Sequence, residues 1–413
     1  MNDRPAVCGG TPIRTAPWPA WPQWDGTERD ALTATLDSGG WWHGNGDRAM
    51  AFAAAFAAHQ GARYGLALTN GTHTLEAALV ACGVGEGDEV LVPGMTFVAS
   101  ATAVLAVNAT PVLVDVDPDT LCLDPAAAAA AITPRTRAII AVHVAGAAAD
   151  LDALGELCAR HDLHLIEDCA HAHGSTWRDR GVGSWGSFGS FSMQQSKLMT
   201  AGEGGALLTN DDDLRALAWS YANCGRQEGE WFYHHPRAGS NLRMTEWQGA
   251  VLSAQLARFP AQHARRNANA AVLGDALRAA GGLRPQGRLP QQGSQGYYCY
   301  VVHVDLDAFG GLALRSLEAA LAAEGIAMGV SYPSLNDLAV FRTRAFAPRL
   351  RASAPTIDYA AQRLPVAEQA AATTVWLQHR MLLDDPDGVL DVARAFERIR
   401  RHAGAVGAAL GAA

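Results

Sequence analysis

The run Ser192-Met-Gln-Gln-Ser-Lys197-Leu-Met-Thr-Ala-Gly-Glu-Gly-Gly205 puts a lysine where a strand-like stretch, 188–193, gives way to a glycine-rich reversal ahead of a second strand, 206–209. Lysines are ordinarily solvated surface residues. The residues N-terminal to this one are small and uncharged, so the ammonium has little reason to be there as a solubilising group. A partly desolvated lysine gives up its proton more readily and can form a Schiff base.

Two other runs carry chemistry. Thr69-Asn70-Gly71-Thr72 lies between an expected strand and helix. A glycine there permits close backbone approach, and helix N-terminal amides with the Thr72 hydroxyl make a phosphate cradle, although the same residues also form a plain turn and N-cap. Glu167-Asp168-Cys-Ala-His171-Ala-His173-Gly174 ends another strand. Its acidic pair suits a ribose, a metal shared with the histidines, a protonated heteroaromatic nitrogen, or simply a cap on the following turn. Taken together, a phosphate cradle, a strand-end aspartate and a lysine 29 residues further on match the needs of pyridoxal phosphate: an amine to bind it, and a carboxylate to keep its ring nitrogen protonated. Phe97 in Pro93-Gly-Met-Thr-Phe97 is the aromatic residue expected over the ring. No metal is expected.

These groups need a sheet to bring them together. From residue 47 the pattern alternates: helix 47–60, strand 64–68, helix 72–82, strand 89–92, helix 97–107, strand 111–116, helix 125–132, strand 138–143, helix 151–160 and strand 163–168. Short apolar strands separated by helices predict a mostly parallel sheet covered on both faces, an α/β fold with ligands at the carboxyl ends of the strands. Helices over 212–223, 245–259 and 261–280 follow, then a Pro/Gly-rich linker at 281–296. A smaller α+β part is expected beyond it, with strands 297–306, 327–332 and 374–383 and helices 313–324 and 389–402. The expected division is an N-terminal arm over 1–24, a large domain over 25–260 and a small one over 261–413. Thr27 is read as the N-cap of a first helix ending before Gly39-Gly40, and Trp41-Trp42 sits in the glycine-rich loop after it.

At 413 residues the chain exceeds one ordinary core. A net charge of −9 without a basic run argues against nucleic acid. Seven scattered cysteines without a CxxC pair read as reduced packing residues of a cytoplasmic protein. The start, Met1-Asn-Asp-Arg-Pro5, lacks the features of a signal peptide, and no membrane segment is expected.

The three motifs resemble, in combination, the DegT/StrS aminotransferase family, fold type I pyridoxal phosphate enzymes acting on keto sugars and keto cyclitols, and the likeness runs from about residue 17 to the last helix. That resemblance implies that Lys197 carries the cofactor, Asp168 meets its pyridine nitrogen, Phe97 stacks on the ring, and Gly71, Thr72 and Ser192 hold the phosphate. It implies too that Asn241 reaches the phosphate in the neighbouring subunit of a homodimer with shared sites. Many sugar aminotransferases of the family have glutamine at the position of His171, which is then expected at the cofactor's phenolate oxygen or at substrate. Met193-Gln-Gln195, Ala101 to Asn108 and Tyr297 to Gly311 look like glutamine-dependent scyllo-inosose aminotransferases of aminoglycoside pathways, whereas His171, the Pro19 to Gln23 arm, Trp41-Trp42 and Lys197 to Glu203 look like 3-amino-5-hydroxybenzoate synthases. Amination of a cyclitol or sugar ketone with L-glutamine is the preferred reading, an aromatising dehydration the alternative, and a non-catalytic ligand-binding protein a further one. Arg226, Arg243 and His379 are candidates for gripping the donor carboxylate or substrate hydroxyls, with a structural role as the other possibility for each.

Overall fold

The computed structural model describes residues 3–345 and 357–411. The first two residues of the expected arm, and 346–356 and 412–413 of the expected small domain, lie outside it. Seven strands form the main sheet: β1 (Tyr64–Leu68), β2 (Glu89–Pro93), β3 (Thr110–Val114), β4 (Thr136–Val142), β5 (His164–Asp168), β8 (Phe188–Ser192) and β9 (Gly205–Thr209), with a two-residue hairpin of β6 (Thr176–Trp177) and β7 (Arg180–Gly181) inserted before β8. Their order is β1-β9-β8-β5-β4-β2-β3. Strand β9 runs antiparallel to both neighbours, and the β8-β5-β4-β2-β3 pairings are parallel. The strands are continuous apolar runs because helices cover both faces.

Those helices are α1 (Gly26–Ser38), α2 (Arg48–Gln60), α3 (Gly71–Ala81), α4 (Ala99–Ala106), α5 (Pro125–Ala131), α6 (Leu151–His161), α7 (Asp212–Ala222) and α8 (Glu246–Ala280). Two expectations are corrected here. The N-cap of α1 is Asp25, not Thr27: its carboxylate accepts the Thr27 amide at 2.8 Å while Glu28 accepts the Asp25 amide at 3.0 Å, a reciprocal capping box. The break expected at Pro260 is absent, so the boundary drawn there falls inside α8, which runs unbroken for 35 residues. An internal proline costs ~3 kcal/mol. Pro260 is exposed, and the helix face carrying Leu252, Phe259, Asn269 and Leu273 is buried along both halves, so packing outweighs the lost hydrogen bond.

A second, antiparallel sheet has the order β10 (Leu283–Pro285), β11 (Cys299–Val304), β12 (Thr374–Gln378). Its third strand therefore comes from the expected linker, and the expected strand over 327–332 contributes only the bridge Met328 to Leu377. Helices α9 (Leu314–Ala323) and Pro386–Arg401 pack on this sheet around Leu317, Val375 and Phe396, and Trp18 of the N-terminal arm is buried in the same core. Residues 335–345 and 357–370 return to the main core through Leu335, Phe341 and Leu364. Among the described residues no helix is long and apolar enough to cross a membrane.

Candidate active site

The carboxyl ends of β1, β2, β5 and β8 open into a cavity of about 850 Å³ whose far wall is residues 298–299, 328–332 and 378–380 of the C-terminal half. Lys197 stands at its floor, in the turn that follows β8. Only 9% of it is exposed, and its Nζ lies 4.1 Å from the Tyr298 ring centroid. Burial pulls the ammonium down to about 8, against Asp168 and Cys299, which favour the charged form. Lys197 is also the single lysine in the chain.

Asp168, the last residue of β5, is buried on the same floor. Its Oδ2 accepts the Ser100 hydroxyl at 2.8 Å and its Oδ1 the Ala170 amide at 3.2 Å. Since the Ser100 proton is committed to the carboxylate, Thr96 must donate to Ser100, 2.9 Å away. Burial lifts the Asp168 carboxyl above the ordinary aspartate value, while Ser100, Ala170 and Lys197 work to keep it ionised. Ser100 and Thr96 are residues that the sequence did not single out. Their signal is a small polar residue inside the apolar run of α4, one turn from a second hydroxyl.

Helix α3 starts at Gly71, capped by Asn70, whose Oδ1 accepts the His73 amide at 2.8 Å. The end of β8 comes so close that a Cβ on Gly71 would lie 2.7 Å from that of Ser192. Gly71, Thr72 and Ser192 thus form one concave rim of helix-end amides and hydroxyls, with the geometry of an anion cradle. Phe97, 54% exposed, hangs over the cavity from the loop after β2, its ring 6.2 Å from Tyr332.

His171 lines the cavity and stacks on Tyr298 at 4.2 Å. The Ala145 amide donates to its Nδ1 at 3.3 Å, which leaves the proton on Nε2, 3.1 Å from the Tyr332 hydroxyl. Burial, then Lys197 and His173, hold this imidazole well below its ordinary pKa, so it is neutral and presents an N–H. His173 faces away and packs on Phe56 and Phe191.

The neighbouring Glu167 completes no such surface. Its carboxylate accepts the amides of Gly183, Trp185 and Gly186 and meets His143 at 3.1 Å. Burial opposes its ionisation, yet His143 and those amides hold it below the usual range. His143, Glu167 and Cys169 are close enough together to ligate an ion, but the carboxylate already serves as a latch on the loop before β8.

Three sequence candidates lie outside this cavity in the single chain. Arg226 stacks on Phe232 at 4.1 Å and donates to its carbonyl, Arg243 donates to Cys224 Sγ at 3.6 Å, and Asn241 is exposed. His379 does line the cavity, but neighbours within the chain occupy both its ring nitrogens. Arg380, beside it, is a cation on the wall that was not singled out. Among the described residues no carboxylate pairs with it, and its Nε donates to Gln378 at 2.6 Å.

A sequence profile of the DegT/DnrJ/EryC1/StrS aminotransferase family matches residues 22–397. An L-glutamine:2-deoxy-scyllo-inosose aminotransferase of Micromonospora echinospora is 43% identical, over 95% of this chain and 97% of its own. A 3-amino-5-hydroxybenzoate synthase of Amycolatopsis mediterranei is 41% identical over 90% and 94%. A crystal structure of 3-amino-5-hydroxybenzoic acid synthase superposes with a TM-score of 0.85 at 39% identity, covering 94% of this chain and 99% of that one. A buried lysine and a buried aspartate on one cavity floor, in a chain alike to these proteins over nearly its whole length, place it: the chain belongs to the DegT/DnrJ/EryC1/StrS aminotransferase family and is an aminotransferase.

Proposed function

We propose that the chain uses pyridoxal phosphate to move an amino group from L-glutamine to a ring ketone of a cyclitol such as 2-deoxy-scyllo-inosose, in the making of an aminoglycoside antibiotic in the cytoplasm. The observation that carries this reading is the only lysine of the chain, held on the floor of the cavity between a buried carboxylate and an aromatic face. The choice of substrates rests on relatives named for them at 40–43% identity.

The residues present fit the cofactor. Gly71 leaves room beside Ser192 that any Cβ would fill, which suits a phosphate held by Gly71, Thr72 and Ser192. Asp168, kept ionised by Ser100 and Ala170, would hold the pyridinium proton, and Phe97 would cover the ring. When bound, pyridoxal phosphate would supply an electron sink for the pair left by the breaking C–H bond. Lys197 Nζ, neutral for a sizeable fraction of the time near pH 8, would accept the proton of the donor α-carbon and pass it to the cofactor's exocyclic carbon, and would run the same transfer in reverse for the ketone. His171 Nε2–H, which meets the Tyr332 hydroxyl in the chain as it stands, would turn to the ring's phenolate oxygen when the cofactor is bound. Arg380 clamps the donor carboxylate. Trp21, Tyr298 and Tyr332 narrow the mouth and exclude water.

Asn241, Arg226 and Arg243 then belong to a homodimer, Asn241 reaching the partner's phosphate. Exposed Trp231, Phe232 and Tyr233 beside them support a covered face. A second reading, 3-amino-5-hydroxybenzoate synthesis, is favoured by His171 and by the 41% identity to such a synthase. Purified protein offered a keto inositol with glutamine, or an aminodehydroshikimate, separates the two: an aminocyclitol supports the first and an aromatic amine the second.

A further inference from the structure

Helix α8 carries a guanidinium where none is expected. Arg266 is fully buried, and among the described residues no carboxylate pairs with it. Burial alone pulls it down to about 9. Isolated buried cations are costly, so a sequence that keeps one has a reason in the groups it meets. Its Nη2 is 3.3 Å from Nδ1 of His379, and its plane lies 5.2 Å from the Trp21 ring.

A guanidinium can only donate. Nδ1 of His379 must therefore accept, which leaves the one proton of the neutral ring on Nε2. That atom is 3.2 Å from the carbonyl oxygen of Ser196, the peptide that enters Lys197. Burial, with Arg266 next, keeps His379 neutral, so the ring cannot satisfy both partners by taking a second proton. Trp21 packs edge-on against His379 at 4.6 Å and donates its own N–H to the Gln195 carbonyl at 3.2 Å. Two successive carbonyls just before the lysine are thus held from the N-terminal arm and the C-terminal half together.

We infer that His379 is a positioning residue: Arg266 fixes its tautomer, and its Nε2–H anchors the Ser196 carbonyl so that the Lys197 amine stands over Tyr298. An amide in place of Arg266 could present either a donor or an acceptor; arginine leaves the histidine one arrangement. The same hydrogen bonds explain why His379 cannot also grip the donor carboxylate. This role rests on Lys197 being the reacting amine, but it is read on the amine itself and not through turnover.

The chain's single lysine makes the test direct. Full-length, tag-free protein carrying [13Cε]lysine has one labelled side chain, followed by NMR with and without pyridoxal phosphate. In the cofactor-free protein the Lys197 methylene should show the upfield ring-current shift of Tyr298 and titrate near pH 8. H379L should abolish that shift, move the midpoint toward the ordinary lysine value and slow capture of pyridoxal phosphate at least tenfold. H379Q, which keeps an N–H in reach of Ser196, should restore most of both. R266M should split or broaden the lysine signal as the histidine tautomers mix. Should H379L not fold, long-range 1H–15N correlations of the histidines in the wild-type protein decide instead, with His379 assigned by its loss in H379Q. A pyrrole-type Nε2 supports the role. A protonated Nδ1, or an H379L protein whose lysine keeps its shift and midpoint, overturns it.

Discussion

Replacing Lys197 with methionine should make the cofactor-free protein more stable, and by an amount that depends on pH. The folded state holds this amine at about 8 instead of the ordinary 10.5, because burial disfavours its charge. A gap of that size corresponds to ~3 kcal/mol. Below pH 8 the lysine is charged in both the folded and the unfolded chain, and the folded state bears the whole cost. Between 8 and 10.5 the unfolded chain binds more protons, so the stability of the wild type rises with pH; above that window the burial cost is gone. Lys197→Met removes the titration while keeping the volume, so its advantage over wild type should be ~3 kcal/mol at pH 7 and shrink to a small remainder by pH 10.5. Urea denaturation of both proteins at one protomer concentration measures it. Taking the difference between them cancels the cysteines and tyrosines that titrate in both. An advantage that does not change with pH, or a variant less stable than wild type at pH 7, would refute the claim that Lys197 is held in a desolvated site.

Three further outcomes follow from the site. Gly71→Ala adds a Cβ 2.7 Å from that of Ser192; equilibrium dialysis should show pyridoxal phosphate binding weakened at least ~10-fold, and the double variant with Ser192→Gly should recover part of the loss. Ser100→Ala takes from Asp168 a charge-assisted hydrogen bond worth ~1.5–3 kcal/mol. The carboxyl pKa should rise further, and the acid limb of the kcat/KM profile should move to higher pH. Arg380→Ala should raise KM for the amino donor by ~10-fold or more while leaving KM for the ketone nearly unchanged; equal effects on both would remove Arg380 from the donor site.

The main sheet and its flanking helices were legible in the sequence because buried parallel strands are unbroken apolar runs closed by Gly, Pro or Asn. The same rule placed Asp168, Gly71, Thr72, Ser192 and Lys197 at the carboxyl ends of strands β5, β1 and β8, which open into one cavity although β9 separates β1 from β8. What escaped were features set by tertiary contact. Strand β10 is three residues long between Gly282 and Gln286, too short for alternation to show, and is a strand only because β11 pairs with it. Pro260 reads as a break until packing along both halves of α8 is known. Arg266 and Ser100 look like isolated polar residues in helices, and their meaning depends on His379, 113 residues away, and Asp168, 68 residues away. Arg226, Arg243 and Asn241 resembled site residues, yet none lines the cavity of its own chain.

The central claim is tested most directly by two half-reactions on one sample. The protein loaded with pyridoxal phosphate should have a visible absorbance band that L-glutamine bleaches, with release of a keto acid, and that 2-deoxy-scyllo-inosose then restores as an aminocyclitol forms. A band that glutamine leaves untouched, or one restored by no cyclitol ketone while an aminodehydroshikimate is aromatised, would contradict it.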